Sequence, residues 1–320
     1  MSQTFWTKPF LDLAQTVWST PEERWIDDSP RQADIAMLEK EAADSKFDTA
    51  GYEIEDPLDL RFCTRGSTVN VRGGNPNTSV GGVLTSVLDG TRVENLRSEM
   101  LALWRSGSAD LKVRELPGRT RLVFLGTDEQ WSQIPWRLWS RILQAIGHPI
   151  GYLLFYAHPK KREYPDRVGK VGNTIEAEHI NAGYSFICQQ HTVVIYRFEE
   201  ATRVLVHELL HTACFDSELP VEHLEASTEA WAEVFLCALL SKGKAPTFMK
   251  LWRKQCAWIT AQTTHLKTEW SIQGPADYCW RYLIGRHEVL KAKGYMLEGP
   301  AFPAVPGLRF TTPEWDLYCN

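Results

Sequence analysis

The amino-acid sequence predicts an α+β fold, a mixed sheet packed against helices, on three observations. Short apolar stretches with the character of strands, such as 150–157, are interspersed with longer segments in which apolar residues recur with the period of an α-helix. Clusters of Gly, Pro and Asn separate these segments. From residue 117 onward the predicted order is strand, helix, strand, strand, strand, helix, helix.

The N-terminal third of the chain has weaker periodicity and predicts helices joined by long loops. Helices are expected at 7–25, 29–46 and 91–105. Residues 48–82 are rich in Gly, Pro and Asn, which predicts turns. We therefore expect residues 1–116 to form a helical and loop-rich extension, covering or regulating a main domain at 117–320.

The elements of the main domain follow from the same patterns. Residues 119–125 alternate like a strand, and 150–157 are strongly apolar. Residues 131–146 carry an apolar stripe at helical spacing, which Gly147 and Pro149 end. Two further strands and two helices are predicted at 180–188, 192–198, 199–214 and 221–241. Residues 246–293 predict a helical subdomain, and the Pro-rich tail after Gly299 predicts coil.

Composition excludes several classes of protein. With 43% hydrophobic and 23% charged residues, the 320-residue chain is too apolar for a disordered protein. Its net charge of -5 gives no electrostatic reason to bind nucleic acid or an anionic membrane. No signal peptide or transmembrane segment is evident, so an intracellular, cytoplasmic protein is expected. The 7 cysteines are scattered without a CxxC pair, which predicts reduced thiols rather than a disulfide framework.

Residues 207–211 read His-Glu-Leu-Leu-His, the HExxH pattern, inside a predicted helix. Positions four apart lie on one helix face, so His207 and His211 present two imidazole nitrogens to one ion. This spacing, with Glu between the histidines, is a zinc-binding pattern. We therefore expect one Zn²⁺ per chain, with Glu208 reaching a water molecule as general base without ligating the metal.

A catalytic zinc site needs a third protein ligand beside one open position. The next predicted helix offers three acids on one face, Glu225, Glu229 and Glu233. Glu229 is the predicted ligand, because the small Ala232 permits close helix packing and Glu233 can then accept the free N–H of a ligating histidine. A register with Glu225 as ligand and Glu229 behind it stays open, and His223 is a third candidate that matches no zinc spacing.

The HExxH pattern followed by Glu229-x-x-Ala232-Glu233 resembles the gluzincin metallopeptidases, whose motif is HExxH with a downstream ExxA[DE]. The resemblance implies a zincin-like catalytic domain, in which mixed-sheet strands precede the active-site helix. Residues 180–184, the strand at 192–198 and the HExxH helix are also similar to metallopeptidases of large DNA viruses and protists. The resemblance covers about 117–293, and it departs from many gluzincins at Glu233, where they carry Asp.

The resemblance also implies a mechanism, the hydrolysis of a peptide or protein substrate. Glu208 would take a proton from water and pass it to the leaving amine. Gluzincins supply an oxyanion donor downstream of the third ligand, and here Tyr282 is the first candidate and Tyr278 the second. The substrate backbone would pair with an edge strand. Its predicted contacts are Asn181, Ala182 and Gly183.

Two other functions remain open from the sequence. One is a catalytically inactive structural or binding subunit of a larger assembly that retains the zincin fold. The other is a peptidase held latent by residues 1–116, which could also dock a protein partner. The intact HExxH motif favours an active peptidase over the first alternative.

Overall fold

A computed structural model describes residues 6–43, 95–166, 174–215, 221–299, 301–302 and 307–319. Its centre is a six-stranded mixed sheet with strand order β1-β2-β3-β4-β6-β5. The strands are β1 (Ile26–Asp28), β2 (Asp110–Leu116), β3 (Thr120–Gly126), β4 (Tyr152–Tyr156), β5 (Gly183–Ser185) and β6 (Thr192–Ile195). The predicted α+β class is confirmed.

Helices cover both faces of the sheet. Those before β6 are α1 (Lys8–Ser19), α2 (Gln32–Ala43), α3 (Leu96–Arg105), α4 (Asp128–Gln133), α5 (Trp136–Ile146) and α6 (Ala177–Ile180). Those after β6 are α7 (Ala201–Thr212), α8 (Val221–Leu240), α9 (Ala245–Glu269), α10 (Gly285–Ala292) and α11 (Asp316–Cys319). A π-helical turn at Trp280–Ile284 leads into α10, and a 3₁₀ turn at Pro313–Trp315 precedes α11. None of the helices in the described ranges is long and apolar enough to cross a membrane.

The two faces of the sheet have separate cores because side chains alternate along each strand. Phe124 and Phe155 point to the face covered by α1, α5, α7, α8 and α9. Val123 and Leu154 point to the opposite face, where α2 and α3 pack. Strands β3, β4 and β6 run parallel in the middle of the sheet and are buried on both faces, which explains their nearly continuous apolar sequences.

The described part of residues 1–116 belongs to this same sheet and core. Strand β1 pairs antiparallel with β2, which in turn forms a hairpin with β3. Leu11, Ala14 and Val17 of α1 are buried in the core that also contains α8. A domain boundary between residues 116 and 117 would therefore cut the β2–β3 hairpin. The predicted turns at 48–82 lie outside the described residues.

Several elements differ from the sequence prediction. The single helix expected at 131–146 is two helices, because Pro135 interrupts it and α4 has its own capping box at Thr127. Gly147 ends α5 with a φ of 84°, as expected. The strand expected at 180–188 is only Gly183–Ser185, and Ile180 belongs to α6. Strands β1 and β2 were not predicted.

Residues 307–319 pack against the helices instead of forming free coil. Phe310 and Trp315 are each only 1% exposed. Backbone N–H groups of Phe310 and Thr311 donate to the carboxylate of Glu200, at 2.9 and 2.7 Å. The Gln255 side chain accepts from the Thr312 N–H at 3.0 Å. Residues 307–312 have no regular secondary structure, as the prediction of coil requires, but the buried side chains of Glu200 and Gln255 fix them in place. The prediction is wrong for residues 313–319, which form the 3₁₀ turn and α11.

The expectation of reduced thiols throughout is also wrong, because Cys188 and Cys214 form a disulfide. The two residues are 26 positions apart in sequence, and their Cα atoms lie 4.6 Å apart. Cys188 lies in the β5–β6 loop and Cys214 lies just beyond the end of α7. The fold brings these two segments together, which no local sequence pattern could indicate.

Candidate metal centre

Helix α7 places the HExxH residues in the interior of the protein. It follows β6 directly, and its apolar residues Val204, Leu205 and Leu209 are buried against the sheet. His207, Glu208 and His211 are at most 6% exposed. Buried polar groups need partners, so three such side chains side by side require compensating contacts from other elements.

Two histidine nitrogens and one carboxylate oxygen converge at this position. The Nε2 atoms of His207 and His211 lie 3.0 Å apart. Oε2 of Glu225, from α8, lies 3.3 Å from the first Nε2 and 3.6 Å from the second. This oxygen is buried and makes no hydrogen bond of good geometry despite these short distances. Three donors at these distances could hold a metal ion. Two overlapping sets, His207 with Glu208 and His211, and His207 with Glu225 and Glu229, also have ligand atoms within 4.8 Å of one another.

Glu229, the predicted ligand, lies behind His207 instead of beside both histidines. Its Oε1 atom is 3.4 Å from Nδ1 of His207, the nitrogen that faces away from His211. Its Oε2 atom forms an ion pair with the buried guanidinium of Arg203. The geometry therefore favours the alternative register, in which Glu225 completes the donor set and Glu229 orients His207. His223 is exposed on the same helix, away from the donors.

Glu233 does not take the role predicted for it. Its carboxylate pairs with the guanidinium of Arg286 and accepts a hydrogen bond of 3.0 Å from Gln255. Arg286 also donates to the carbonyl of Phe310, at 3.1 Å. Glu233 thus belongs to a buried network that joins α8, α9 and α10 to the segment 307–312. It lies one helical turn beyond Glu229, the acid that is close to Nδ1 of His207.

Glu208 points toward the edge strand β5. Its Oε2 atom accepts a hydrogen bond of 2.9 Å from Ser185 Oγ. One of its carboxylate oxygens lies within 4.8 Å of donor nitrogens from both histidines. The close approach of β5 to α7 depends on Gly183. A Cβ atom at this position would lie 2.5 Å from Val204 Cγ1 and 3.3 Å from Glu208 Oε1.

Burial and mutual interactions perturb the pKa values of these groups. Burial raises the pKa of Glu208 to about 7, and burial together with the neighbouring His211 lowers the pKa of His207 to about 4. Burial also acts to raise the pKa of Glu225, but the two histidines outweigh it and hold that pKa well below its ordinary range. The site therefore combines an ionised carboxylate with a neutral imidazole, which is the protonation state that metal ligands require.

The residues predicted to contact substrate and oxyanion are gathered at the same place. A small cavity of about 50 Å³ is lined by the donors and by residues of β5, the π-helical turn before α10 and the C-terminal segment. Its lining includes Asn181, Ala182, Gly183 and Tyr282. Tyr278 does not line the cavity. Its hydroxyl donates to Asn181 Oδ1 at 2.7 Å and lies 3.2 Å from the Tyr282 hydroxyl.

Three residues of the site were not identified from the sequence. Arg203 is four positions before His207, so the spacing 203, 207, 211 could have placed it on the same helix face. No motif in the sequence marks Ser185 as a site residue; it is only close to Gly183, two positions before it. Phe310 lies about a hundred residues downstream, where its ring lies 4.0 Å from the guanidinium carbon of Arg203. No local pattern links Phe310 to the motif.

Comparison of the chain with protein-family models, with curated proteins and with solved structures found no match. The class of site defined by the geometry is a buried cluster of histidine and glutamate side chains on two adjacent helices that could hold a metal ion. Its assignment to a function therefore depends on the residues themselves.

Proposed function

We propose that this chain is a zinc-dependent peptidase of the zincin type, with His207, His211 and Glu225 as ligands. The observation that carries the proposal is the convergence of their three donor atoms. In a tetrahedral site with zinc–ligand distances of about 2.0–2.1 Å, two donors lie about 3.3–3.4 Å apart. The observed separations of 3.0, 3.3 and 3.6 Å bracket this value.

The donor set also agrees with zinc chemically. Two imidazoles and one carboxylate are a known ligand set of catalytic zinc, and they leave one position open for water or substrate. The carboxylate of Glu229 behind His207 is the outer partner that fixes the orientation of a ligating imidazole. The resulting pattern, HExxH with Glu225 and a supporting acid four residues later, keeps the two acids of the gluzincin motif in a register shifted by one helical turn, with Thr228 where that motif has Ala.

Zinc bound in such a site supplies Lewis acidity, which polarises a carbonyl group and makes water more acidic. Glu208 is placed to take the proton of the attacking water and to return it to the leaving amine. Its raised pKa, close to 7, suits both steps. Ser185 holds the carboxylate in position.

Substrate would enter along β5 and meet Tyr282. Within the described chain β5 is the last strand of the sheet, and it pairs on one side only, with β6. Its other side can accept an extended peptide as an added strand. Tyr282 lines the cavity and carries the hydroxyl that would donate to the oxyanion of the tetrahedral intermediate. The substrate is thus proposed to be an extended peptide segment.

The experiment that tests this function compares Glu208→Gln with the native protein. Metal content is measured by mass spectrometry, and hydrolysis is measured on an unstructured protein substrate. We expect the variant to keep about one zinc per chain and to lose hydrolysis, because only the proton-transfer group is changed. Glu163→Gln, on an exposed loop position, is the matched control and should keep both properties.

Two results would reject the proposal. Hydrolysis that persists in Glu208→Gln would exclude Glu208 as the general base, and with it the proposed mechanism. Metal binding without any hydrolysis by the native protein, across a library of peptides, would favour the alternative function of an inactive binding or structural subunit.

A further inference from the structure

The disulfide of Cys188 and Cys214 is attached directly to the metal centre. Cys214 lies three residues after His211, and Cys188 lies three residues after the end of β5. The backbone N–H groups of both cysteines donate to the carbonyl oxygen of His211, each at 3.0 Å. The bridge and the Cys188 hydrogen bond hold the end of α7 against the loop that follows the edge strand, whereas the Cys214 hydrogen bond closes the last turn of the helix.

The bridge is also the accessible sulfur pair of the described chain. Cys214 is exposed and Cys188 is half-buried. Of the remaining described cysteines, all with free thiols, Cys237, Cys256 and Cys279 are buried and Cys319 is half-buried. Burial raises the pKa of Cys256, Cys279 and Cys319 to about 12. Because the thiolate is the reactive species, these thiols are poor competitors in exchange reactions.

We propose that the Cys188–Cys214 bridge is a thiol–disulfide exchange site for a dithiol reductant, and that its reduction loosens the metal centre. A thiolate of the reductant attacks the exposed sulfur of Cys214, the S–S bond breaks, and Cys188 leaves as a thiolate that takes a proton from water. The second thiolate of the reductant then attacks the mixed disulfide. This step releases Cys214 and oxidises the dithiol to a cyclic disulfide, a transfer of two electrons in total.

Loosening follows from the position of the bridge. Without the covalent link, the loop and the end of α7 keep the hydrogen bond from the Cys188 N–H to the His211 carbonyl but lose the bond that fixes Cys214 to Cys188. Local opening at a helix end then moves the His211 side chain away from its partner ligands. Groups that orient a ligand from outside change metal affinity by about 10–100-fold. This part of the inference rests on the proposed metal site, whereas the exchange reaction does not.

The exchange reaction is tested first, on the folded native protein. The protein is treated with dithiothreitol, the thiols are alkylated, and the labelled residues are identified by mass mapping of peptides. We expect Cys188 and Cys214 to be labelled together before any buried cysteine. Labelling of this pair only after unfolding would overturn the exchange site. Mapping by peptide also separates the pair from Cys63, which lies outside the described residues.

The effect on the metal is tested with a reductant that does not chelate strongly. Tris(2-carboxyethyl)phosphine reduces the disulfide and is oxidised to its oxide, with water supplying the oxygen and both protons. We expect zinc transfer to a chelator to become about tenfold faster after reduction, and to return to the slow rate after reoxidation. The double variant C188S/C214S should show the fast rate with or without reductant, and Cys319→Ser should behave like the native protein.

The outcomes separate the two proposals. An equal rate of zinc transfer before and after reduction would overturn the link between the bridge and the metal. Labelling of the pair in a protein that binds no zinc in either state would reject the proposed function and retain the exchange site. Reversal by reoxidation of the native protein makes the result independent of whether the double variant folds.

Discussion

Replacing Gly183 with Ala is expected to destabilise the protein, because β5 lies too close to α7 and β6 for a Cβ atom. That atom would come within 2.5 Å of Val204 Cγ1 and 2.7 Å of the Val194 carbonyl oxygen. Val204 is β-branched and has one favoured rotamer in a helix. The carbonyl belongs to the backbone of β6 and can move only with the strand. Moving either the Val204 side chain or the Val194 carbonyl group would therefore cost free energy.

The magnitude follows from two opposing effects. Forcing an extra methyl group into a packed interior costs about 1–3 kcal/mol. Alanine also restricts the unfolded chain, which stabilises the folded state by about 0.4–1 kcal/mol. The net loss in the free energy of unfolding is then about 1–2 kcal/mol. Because the same Cβ would lie 3.3 Å from Glu208 Oε1, hydrolytic activity should fall as well.

The assay is unfolding in guanidinium chloride, with Gly274→Ala as the matched control. A Cβ at Gly274 has no heavy atom within 4 Å, and the residue is not in the left-handed region. This variant should therefore gain about 0.4–1 kcal/mol. The two variants should differ by about 2 kcal/mol. If both unfold at the same denaturant concentration, the close contact between β5 and α7 is refuted, and with it the positioning of Glu208.

Three further predictions concern the ligands, the oxyanion donor and acid stability. Glu229→Gln should weaken zinc binding by about 10–100-fold in a chelator competition, whereas Glu225→Gln removes a ligand and should weaken it more; the reverse order would restore Glu229 as the ligand. Tyr282→Phe should lower kcat by about 10²–10³ with unchanged zinc content, and an unchanged kcat would exclude its hydroxyl as donor. Although burial raises the pKa of Glu200, the surrounding arginines outweigh it and lower that pKa to about 2. This carboxylate therefore stabilises the fold above its ordinary pKa of 4.5, and about 3 kcal/mol should be lost as pH falls from about 4.5 to about 2. The unfolding free energy of Glu200→Gln should not show this loss between about pH 4.5 and about pH 2. The same decrease with pH in the variant and the native protein would contradict the prediction.

The sequence was sufficient to predict those features that depend on a local pattern of residues, such as the buried strands and the helix that carries the histidines. The buried strands β4 and β6 were recognised as short apolar runs, and β3 was recognised because its residues alternate between apolar and polar. The two histidines of α7 were placed on one face because helix geometry fixes residues four apart. Strands β1 and β2 were missed because they are polar and partly exposed, as edge-side strands of an antiparallel pair often are.

The third ligand could not be chosen from the sequence for a different reason. Glu225, Glu229 and Glu233 repeat at one helical spacing, so each fits the helix face equally well. Which acid meets the histidines depends on how far α8 slides along α7, and packing sets that distance. Part of that packing is the contact of α8 with α10, where a Cβ at Gly285 would lie 2.7 Å from the methyl group of Ala226.

The attachment of residues 307–312 also has a consequence for the order of events during synthesis. Phe310 forms part of the cavity wall, and the backbone N–H groups of Phe310 and Thr311 donate to the buried carboxylate of Glu200. These residues leave the ribosome about a hundred positions after His207. A nascent chain can therefore fold the motif helix before the wall of its cavity exists. For the proposed peptidase, the cavity around Glu208 would be complete only after residues 307–312 have docked, so hydrolysis would begin after that step and not when the motif helix forms.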